Sequence, residues 1–283
     1  MQHIAIIYKR TRPDAADLAK DLTRWLVERN IKVYCKENPD YTGVTCDWQS
    51  MEIPETIDLA VVLGGDGTLL SAARLLERRP IPIVGVNLGG LGFLTVISRE
   101  SCFSQLQSIL DGYYELEERM RLKVTILRDQ KEIFTHRVLN DAVINKGALA
   151  RIVELKTSID GSHLTHYRGD GLIVSTPTGS TAYNLAAGGP IIYPTSRTII
   201  LTPICSFTLT NRPIILPAHV NVEVEVGERV SDATLTCDGQ VGCEILPLDR
   251  IVITAAYSPL RLVKTTSIDY FEILRSKLKW GTY

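Results

Sequence analysis

The sequence predicts an α/β domain on a parallel sheet, then a β-rich domain, then a helical tail that returns to the first. Three observations carry that prediction. As far as Glu118, short β-branched runs alternate with segments whose apolar residues recur at spacings of three and four. That is the texture of strand–helix–strand units. From residue 119 to 256 the chain holds short β-branched segments separated by turn residues, which suits an all-β domain. From Asp269, a plausible N-cap, Tyr270, Phe271, Leu274 and Leu278 resume helical spacing, and a lone helix must bury such a face somewhere. The expected domains are 1–118, 119–256 and 257–283, with the last helix packing on the first domain.

Ile4–Tyr8 reads as the first strand. The loop Lys9–Arg12 carries three cations, Lys9, Arg10 and Arg12. Pro13 suits the first turn of a helix. Leu18, Leu22, Trp25 and Leu26 give that helix an apolar face, and Asn30 stands where a C-terminal cap is expected. Ile31–Cys35 returns as a strand. Residues 36–56 hold two prolines and several polar residues and read as a variable excursion.

The run Leu59–Leu63 is short and Val-rich, a buried strand. It stops at Gly64-Gly65-Asp66-Gly67-Thr68, and Leu69, Ala72, Ala73 and Leu76 follow at helical spacing. Glycines let backbone approach a ligand closely, and a helix start aims N–H groups and its positive dipole end at it. Asp66 is the one carboxylate in this cradle. A phosphate-bearing ligand fits the backbone, which leaves the acid to hold a hydroxyl, take its proton or ligate a metal. The plain alternative is a β–α connection with Asp66 or Thr68 as N-cap.

Ile81–Val86 is another buried strand, leading into Asn87-Leu88-Gly89-Gly90-Leu91-Gly92-Phe93. Alternating elements imply a mostly parallel, Rossmann-like sheet. Such sheets bind ligands at the carboxyl ends of their strands, so both glycine turns are expected to face one crevice. Taken alone, the second turn fits a tight connection equally well. Residues 101–111 follow as an amphipathic helix closed by Gly112.

Strands of the second domain are expected at 122–127, 133–139, 142–145, 152–159, 172–175, 199–203, 214–216, 220–226, 233–237 and 251–255. Asn140-Asp141 interrupts an apolar strand, Val138–Ile144, where buried polar groups need partners. Asp238-Gly239-Gln240 ends a strand and reads first as a hairpin turn.

Composition narrows the function. The 283 residues are 45% hydrophobic and 22% charged, which describes a globular chain with a substantial core. A net charge of −1 supplies no basic field for nucleic acid or an anionic membrane. No membrane span or signal peptide is expected. The six cysteines are scattered without paired spacing, so a zinc site is not expected, and they fit reduced thiols in a cytoplasm.

The most specific stretch is Arg168-Gly169-Asp170-Gly171-Leu-Ile-Val-Ser-Thr-Pro-Thr178-Gly-Ser-Thr181-Ala182-Tyr183-Asn184-Leu185-Ala186-Ala-Gly-Gly-Pro190. Small residues admit a planar ligand, hydroxyls and an amide read its edges, and Tyr183 can stack. Gly-Gly-Asp-Gly-Thr, Asn-Asp, this long stretch, Asn211-Arg212-Pro213 and Asp-Gly-Gln follow in one order. Together they resemble a bacterial-type NAD kinase over nearly the whole chain. The first motif alone is shared with diacylglycerol-kinase-like and phosphofructokinase-like enzymes.

The resemblance implies transfer of the γ-phosphoryl group of ATP, or of polyphosphate, to the 2′-hydroxyl of the adenosine ribose of NAD. Mg²⁺ is expected with the donor's phosphates, held largely through water and substrate, so few protein ligands are expected. The resemblance also implies a homodimer or homotetramer and the two-domain fold above. Asp66 would be the base, with Gly67 beside it. Asn140 and Asp141 would hold the ribose or adenine region. Arg151, Arg168 and Asp170 would lie around the dinucleotide, and Thr178 nearby. Thr181, Ala182, Tyr183, Asn184, Leu185 and Ala186 would form the wall against the bases, and Gln240 would close the site. Two departures stand out: Asp141 where the family has Glu, and Ser206-Phe207 for a Pro-His pair. Two rivals remain open at this point, a lipid kinase sharing the first motif and a non-catalytic NAD-binding regulator.

Overall fold

The computed structural model describes residues 1–9, 11–38, 54–77, 79–147, 152–264 and 269–281. Most of the excursion at 36–56 and the cation Arg10 lie outside them. The described residues fall into two compact units. One takes the chain up to Glu118 and again from Leu260; the other runs from Arg119 to Pro259.

In the first unit β1 (His3–Lys9), β2 (Lys32–Asn38), β3 (Leu59–Leu63), β4 (Ile83–Asn87), β5 (Ile97–Ser98) and β6 (Glu115–Arg119) alternate with α1 (Pro13–Val27), α2 (Asp66–Leu75) and α3 (Cys102–Leu110). Helix α1 begins at Pro13 and buries Ala15, Leu18, Ala19, Leu22 and Leu26. Trp25 packs edge-on against Phe103 of α3, with ring centroids 5.6 Å apart. Asn30 takes a left-handed φ of 60° after the helix, a conformation Asn tolerates. β3 and β4 are buried at every position, as their unbroken apolar runs require of strands covered on both faces.

The second unit contains β7 (Leu122–Arg128), β8 (Lys131–Val138), β9 (Asp141–Lys146), β10 (Val153–Ile159), β11 (Ser162–Gly169), β12 (Gly171–Ser175), α4 (Tyr183–Ala186), β13 (Thr198–Ile204), β14 (Ile214–Pro217), β15 (Val222–Val226), β16 (Ala233–Cys237), β17 (Val241–Ile245) and β18 (Arg250–Ala255). They form two antiparallel sheets, ordered β11-β10-β15-β18-β7-β8 and β14-β13-β12-β9-β16-β17. Val138–Ile144 is therefore not one strand. β8 ends at Val138 in one sheet and β9 starts at Asp141 in the other. The polar pair marks the corner where the chain changes sheets.

The tail re-enters the first unit as β19 (Leu260–Lys264) and then α5 (Tyr270–Leu278). The first sheet reads β2-β1-β3-β4-β19-β6, with β5 also on β4. β1 is parallel to β2 and β3, and β4 to β3, β5 and β19. Val263 of β19 joins the core cluster of Ile4, Leu22, Val61 and Val84. In α5 the buried residues are Ile273 and Leu274, while Phe271 is 53% exposed, so the buried face is turned from the one the spacing suggests. Among the described residues no helix is long and apolar enough to cross a membrane.

Candidate functional site

In the first sheet the chain order reverses at β1, which lies between β2 and β3. The loops leaving the carboxyl ends of β1 and β3 therefore flank the crevice where such sheets take ligands. The turn after β3 carries Asp66 at the start of α2, with Gly65 as N-cap and no side-chain cap bond. The carboxylate turns instead to the segment after the second glycine turn. Phe93 N–H donates to Oδ2 at 2.8 Å. Leu94 N–H, Thr95 N–H and the Thr95 hydroxyl donate to Oδ1 at 3.0, 3.1 and 3.1 Å. A Cβ on Gly92 would overlap Asp66 Oδ1 and Thr95 Oγ1, so only glycine fits there.

Several turn amides expected to cradle phosphate serve the protein instead. Gly64 N–H bonds Val86 O at 3.0 Å, Gly89 N–H bonds Asn87 Oδ1 at 2.7 Å, and Gly92 N–H bonds Thr95 O at 3.2 Å. Among the described residues, the amides of Gly65, Asp66 and Gly90 are left without a partner. Arg12, from the basic loop, grips Asp14 through Nε and Nη2 (3.0 and 2.6 Å) and Leu88 O through Nη2 (2.9 Å). That pairing holds the Asp14 carboxyl below its ordinary range and straps the β1–α1 loop to the second glycine turn.

In the second unit a cavity of about 330 Å³ is lined by Asn140, Asp141, Val143, Asn145, Ala182, Tyr183, Thr236, Asp238 and Gly239. Its floor is the corner between β8 and β9. Asp238 pins the corner's amides: its carboxylate accepts the N–H of Leu139 (2.9 Å), Asn140 (2.7 Å) and Asp141 (3.1 Å). Asp238 and Gly239 have φ of 50° and 63° in the β16–β17 hairpin, so the hairpin reading and the anchoring role coincide. From the other side, Thr176 N–H and Ser175 Oγ donate to Asn140 O (2.8 and 3.1 Å), and Thr176 Oγ1 donates to Leu139 O (2.5 Å). Gly179 lies so close to Asn140 O that a Cβ would collide with it.

Asp141 is 4% exposed, and its carboxyl has no hydrogen-bond partner among the described residues. Burial, then the neighbouring Asp238 charge, pushes its pKa up to about 7. An ordinary Asp in the unfolded chain ionises near 3.9. The folded state therefore keeps a proton that the unfolded state loses, and stability falls as pH rises from about 4 to about 7. The Asp141→Asn variant is expected to gain roughly 2–4 kcal/mol relative to the parent between about pH 4 and pH 8. Urea unfolding at the two pH values checks this; a constant difference would contradict it.

The remaining expected residues are placed as follows. Ala182 and the 43%-exposed Tyr183 line the cavity. Thr178 is buried, and Thr181 Oγ1 donates to its carbonyl at 3.4 Å. Asn184 is fully buried. Its Nδ2 donates to Ser180 O and Pro190 O (both 3.0 Å), and its Oδ1 accepts from Thr202 Oγ1 (2.6 Å). Its amide buckles the loop rather than facing the cavity. Leu185 is partly buried and Ala186 exposed, and neither they nor Gln240 line the cavity. Arg168 pairs with Glu154 at 2.9 Å and lies 5.7 Å from the Phe207 ring centroid. Asp170 pairs with Lys146 at 3.5 Å. Gly67 is exposed beside Asp66. Arg151 lies outside the described residues. Asn145, Thr236 and the anchoring Asp238 are not among the site residues expected from the sequence; the hairpin signal at 238–240 is the available pointer to Asp238.

Two family models match the chain. That of the ATP-NAD kinase N-terminal domain covers residues 4–114, and that of the ATP-NAD kinase C-terminal domain covers residues 139–265. An NAD kinase of Syntrophobacter fumaroxidans is 66% identical over 281 residues, 99% of each chain. One of Geobacter metallireducens is 50% identical over 285 residues, again 99% of each. A crystal structure of yeast NADH kinase complexed with NADH shares the fold, with a TM-score of 0.82 at 24% identity, over 100% of this chain and 89% of that one. An NAD kinase from Archaeoglobus fulgidus in complex with ATP has a TM-score of 0.78 at 26% identity, over 98% and 99%.

Proposed function

The chain belongs to the ATP-NAD kinase family, an enzyme that phosphorylates NAD, and from that premise we propose how its own residues carry the reaction. The γ-phosphoryl group of ATP, or a terminal group of polyphosphate, passes to the 2′-hydroxyl of the adenosine ribose of NAD. Asp66 orients that hydroxyl and takes its proton as the bond to phosphorus forms. Phosphoryl transfer asks mainly for an in-line nucleophile and charge stabilisation, and a positioned base contributes on the order of 10²–10⁴ in rate. The observation that carries this reading is the Asp66 carboxylate fixed by four donors in a glycine turn at the carboxyl end of β3.

Donor phosphates fit the amides of Gly65, Asp66 and Gly90 and the positive end of α2, with Gly67 beside them. Among the described residues no three His, Cys, Asp or Glu side chains gather as metal ligands. Mg²⁺, held mainly by the donor itself and by water, would supply charge neutralisation on the donor.

For NAD, Asn140 and Asp141 present a free amide and a free carboxyl to the cavity, which suits ribose hydroxyls, and Tyr183 offers a ring on which a base can stack. Thr178, Thr181, Ala182, Asn184, Leu185 and Ala186 shape the wall, and Gln240, Arg151, Arg168 and Asp170 complete the binding region. The exposed Phe207 and Leu209, at 72% and 87%, favour a homodimer or homotetramer, which light scattering checks. The reading places the enzyme in the cytoplasm.

The decisive assay supplies ATP with either NAD or diacylglycerol, with and without Mg²⁺. NADP is expected from NAD, dependent on the ion. Phosphorylated diacylglycerol, or NAD binding without NADP formation, would overturn the reading in favour of a lipid kinase or a regulator.

A further inference from the structure

We infer that Thr95 is a positioning residue for Asp66, and that Asn87 ties the pair to the second glycine turn. The inference rests on the reading of Asp66 as the base. It follows from the directions in which each hydrogen bond can run. Gly89 N–H donates to one end of the Asn87 amide at 2.7 Å. A backbone N–H only donates, so that end is Oδ1. The other end is then Nδ2, which donates to Thr95 Oγ1 at 2.8 Å. With that donor in place, the hydroxyl's single hydrogen is left for Asp66 Oδ1, 3.1 Å away. Thr95 is fully buried and Asn87 nearly so. Each link therefore has one permitted direction, from the glycine turn to the carboxylate.

This relay also distinguishes the two oxygens of Asp66. Oδ1 accepts from Leu94 N–H, Thr95 N–H and the Thr95 hydroxyl. A proton placed there would face three donors. Oδ2 accepts only Phe93 N–H among the described residues, which leaves it lone-pair capacity. In the transfer, the ribose O–H bond breaks as the O–P bond forms and the bond from phosphorus to the ADP oxygen breaks. The proton goes to Oδ2, and the electron pair of the broken P–O bond leaves with ADP. Thr95 keeps the carboxylate in the rotation that presents Oδ2, and the glycine turn that takes donor phosphate helps set that rotation through Asn87.

The test compares Thr95→Val, which keeps the branched shape without the hydroxyl, with Thr95→Ser, which keeps the hydroxyl without the methyl beside Gly85. Thr95→Val is expected to lower kcat about 10–100-fold, the kinetic equivalent of one hydrogen bond to a charged group. KM for NAD and for ATP should stay close to the parent values, and Thr95→Ser should recover most of the loss. Asn87→Leu breaks the relay one step earlier and is expected to lower kcat about 3–30-fold, which keeps the test available if Thr95→Val does not fold. Equal losses in the Val and Ser variants would overturn the inference in favour of packing. So would parental kcat in Thr95→Val or Asn87→Leu while Asp66→Asn is inactive. Near-parental turnover in Asp66→Asn itself would instead remove the base reading beneath it.

Discussion

Asp66→Asn is expected to lower turnover at least about 100-fold while NAD affinity stays near the parent value. The amide is almost isosteric, so the segment after the second glycine turn keeps most of its contacts. An oxygen at Oδ1 still accepts from Leu94, Thr95 and the Thr95 hydroxyl, whose bonds are 3.0–3.1 Å long in the parent. The amino group then replaces Oδ2 and faces Phe93 N–H, 2.8 Å from that position. One bond is lost there, so a destabilisation of about 1–3 kcal/mol is expected, well below what would unfold a stable domain. The chemical defect comes from the same exchange, because an amide nitrogen has no lone pair to receive a proton. Single-turnover kinetics with saturating NAD and ATP, beside calorimetric NAD binding, separate the two effects. Near-normal turnover would take the base role away from this residue.

The second large effect is expected at Asp238. Its carboxylate is the shared acceptor for three consecutive main-chain amides at the sheet-changing corner. Truncation to Ala leaves those donors to whatever water reaches them, at about 1–3 kcal/mol for each one left unsatisfied. It also puts Ala at a φ of 50°, where Asp and Asn are better tolerated. A loss of roughly 3–5 kcal/mol in urea unfolding is expected, with KM for NAD rising at least about 10-fold because Asn140 and Asp141 sit on that corner. Asp238→Asn should retain most of the stability, since an amide oxygen can take the Oδ1 position. It also deletes one cause of the raised Asp141 pKa, so Asp141 should ionise at lower pH in that variant. Destabilisation by Asp238→Ala of less than about 1 kcal/mol would show that the corner does not depend on this acceptor.

The glycine turn, its acid and the strand and helix around it are legible because each has a residue signature: an unbroken Val-rich run, three glycines, then apolar spacing of three and four. What holds the acid is not, because three of its four donors are the main-chain amides of Phe93, Leu94 and Thr95, and any residue supplies those. The relay through Asn87 and Thr95 uses side chains visible in the sequence, but nothing local says that they meet. Asn140-Asp141 is conspicuous as a polar break. That it marks a change of sheet depends on contacts with Asp238, nearly a hundred residues away. β11 and β17 are illegible for a simpler reason. They are edge strands with little apolar alternation, most of β11 being exposed or half-exposed. Asn184 shows the limit of reading a motif as a list: the long stretch at 169–190 singles it out, and the structure uses its amide to close the loop on Ser180, Pro190 and Thr202.

Strand β19 has a consequence for biosynthesis. It occupies an interior place in its sheet, flanked by β4 and β6, yet it is made only after the whole of the second unit. The nascent first unit must wait with a gap in its middle, while the stretch from Arg119 to Pro259 is already complete. Domains are generally expected to fold in the order in which they are translated. In this chain the later-made unit can finish first, and the earlier-made one is exposed to chaperones and proteases until β19 emerges.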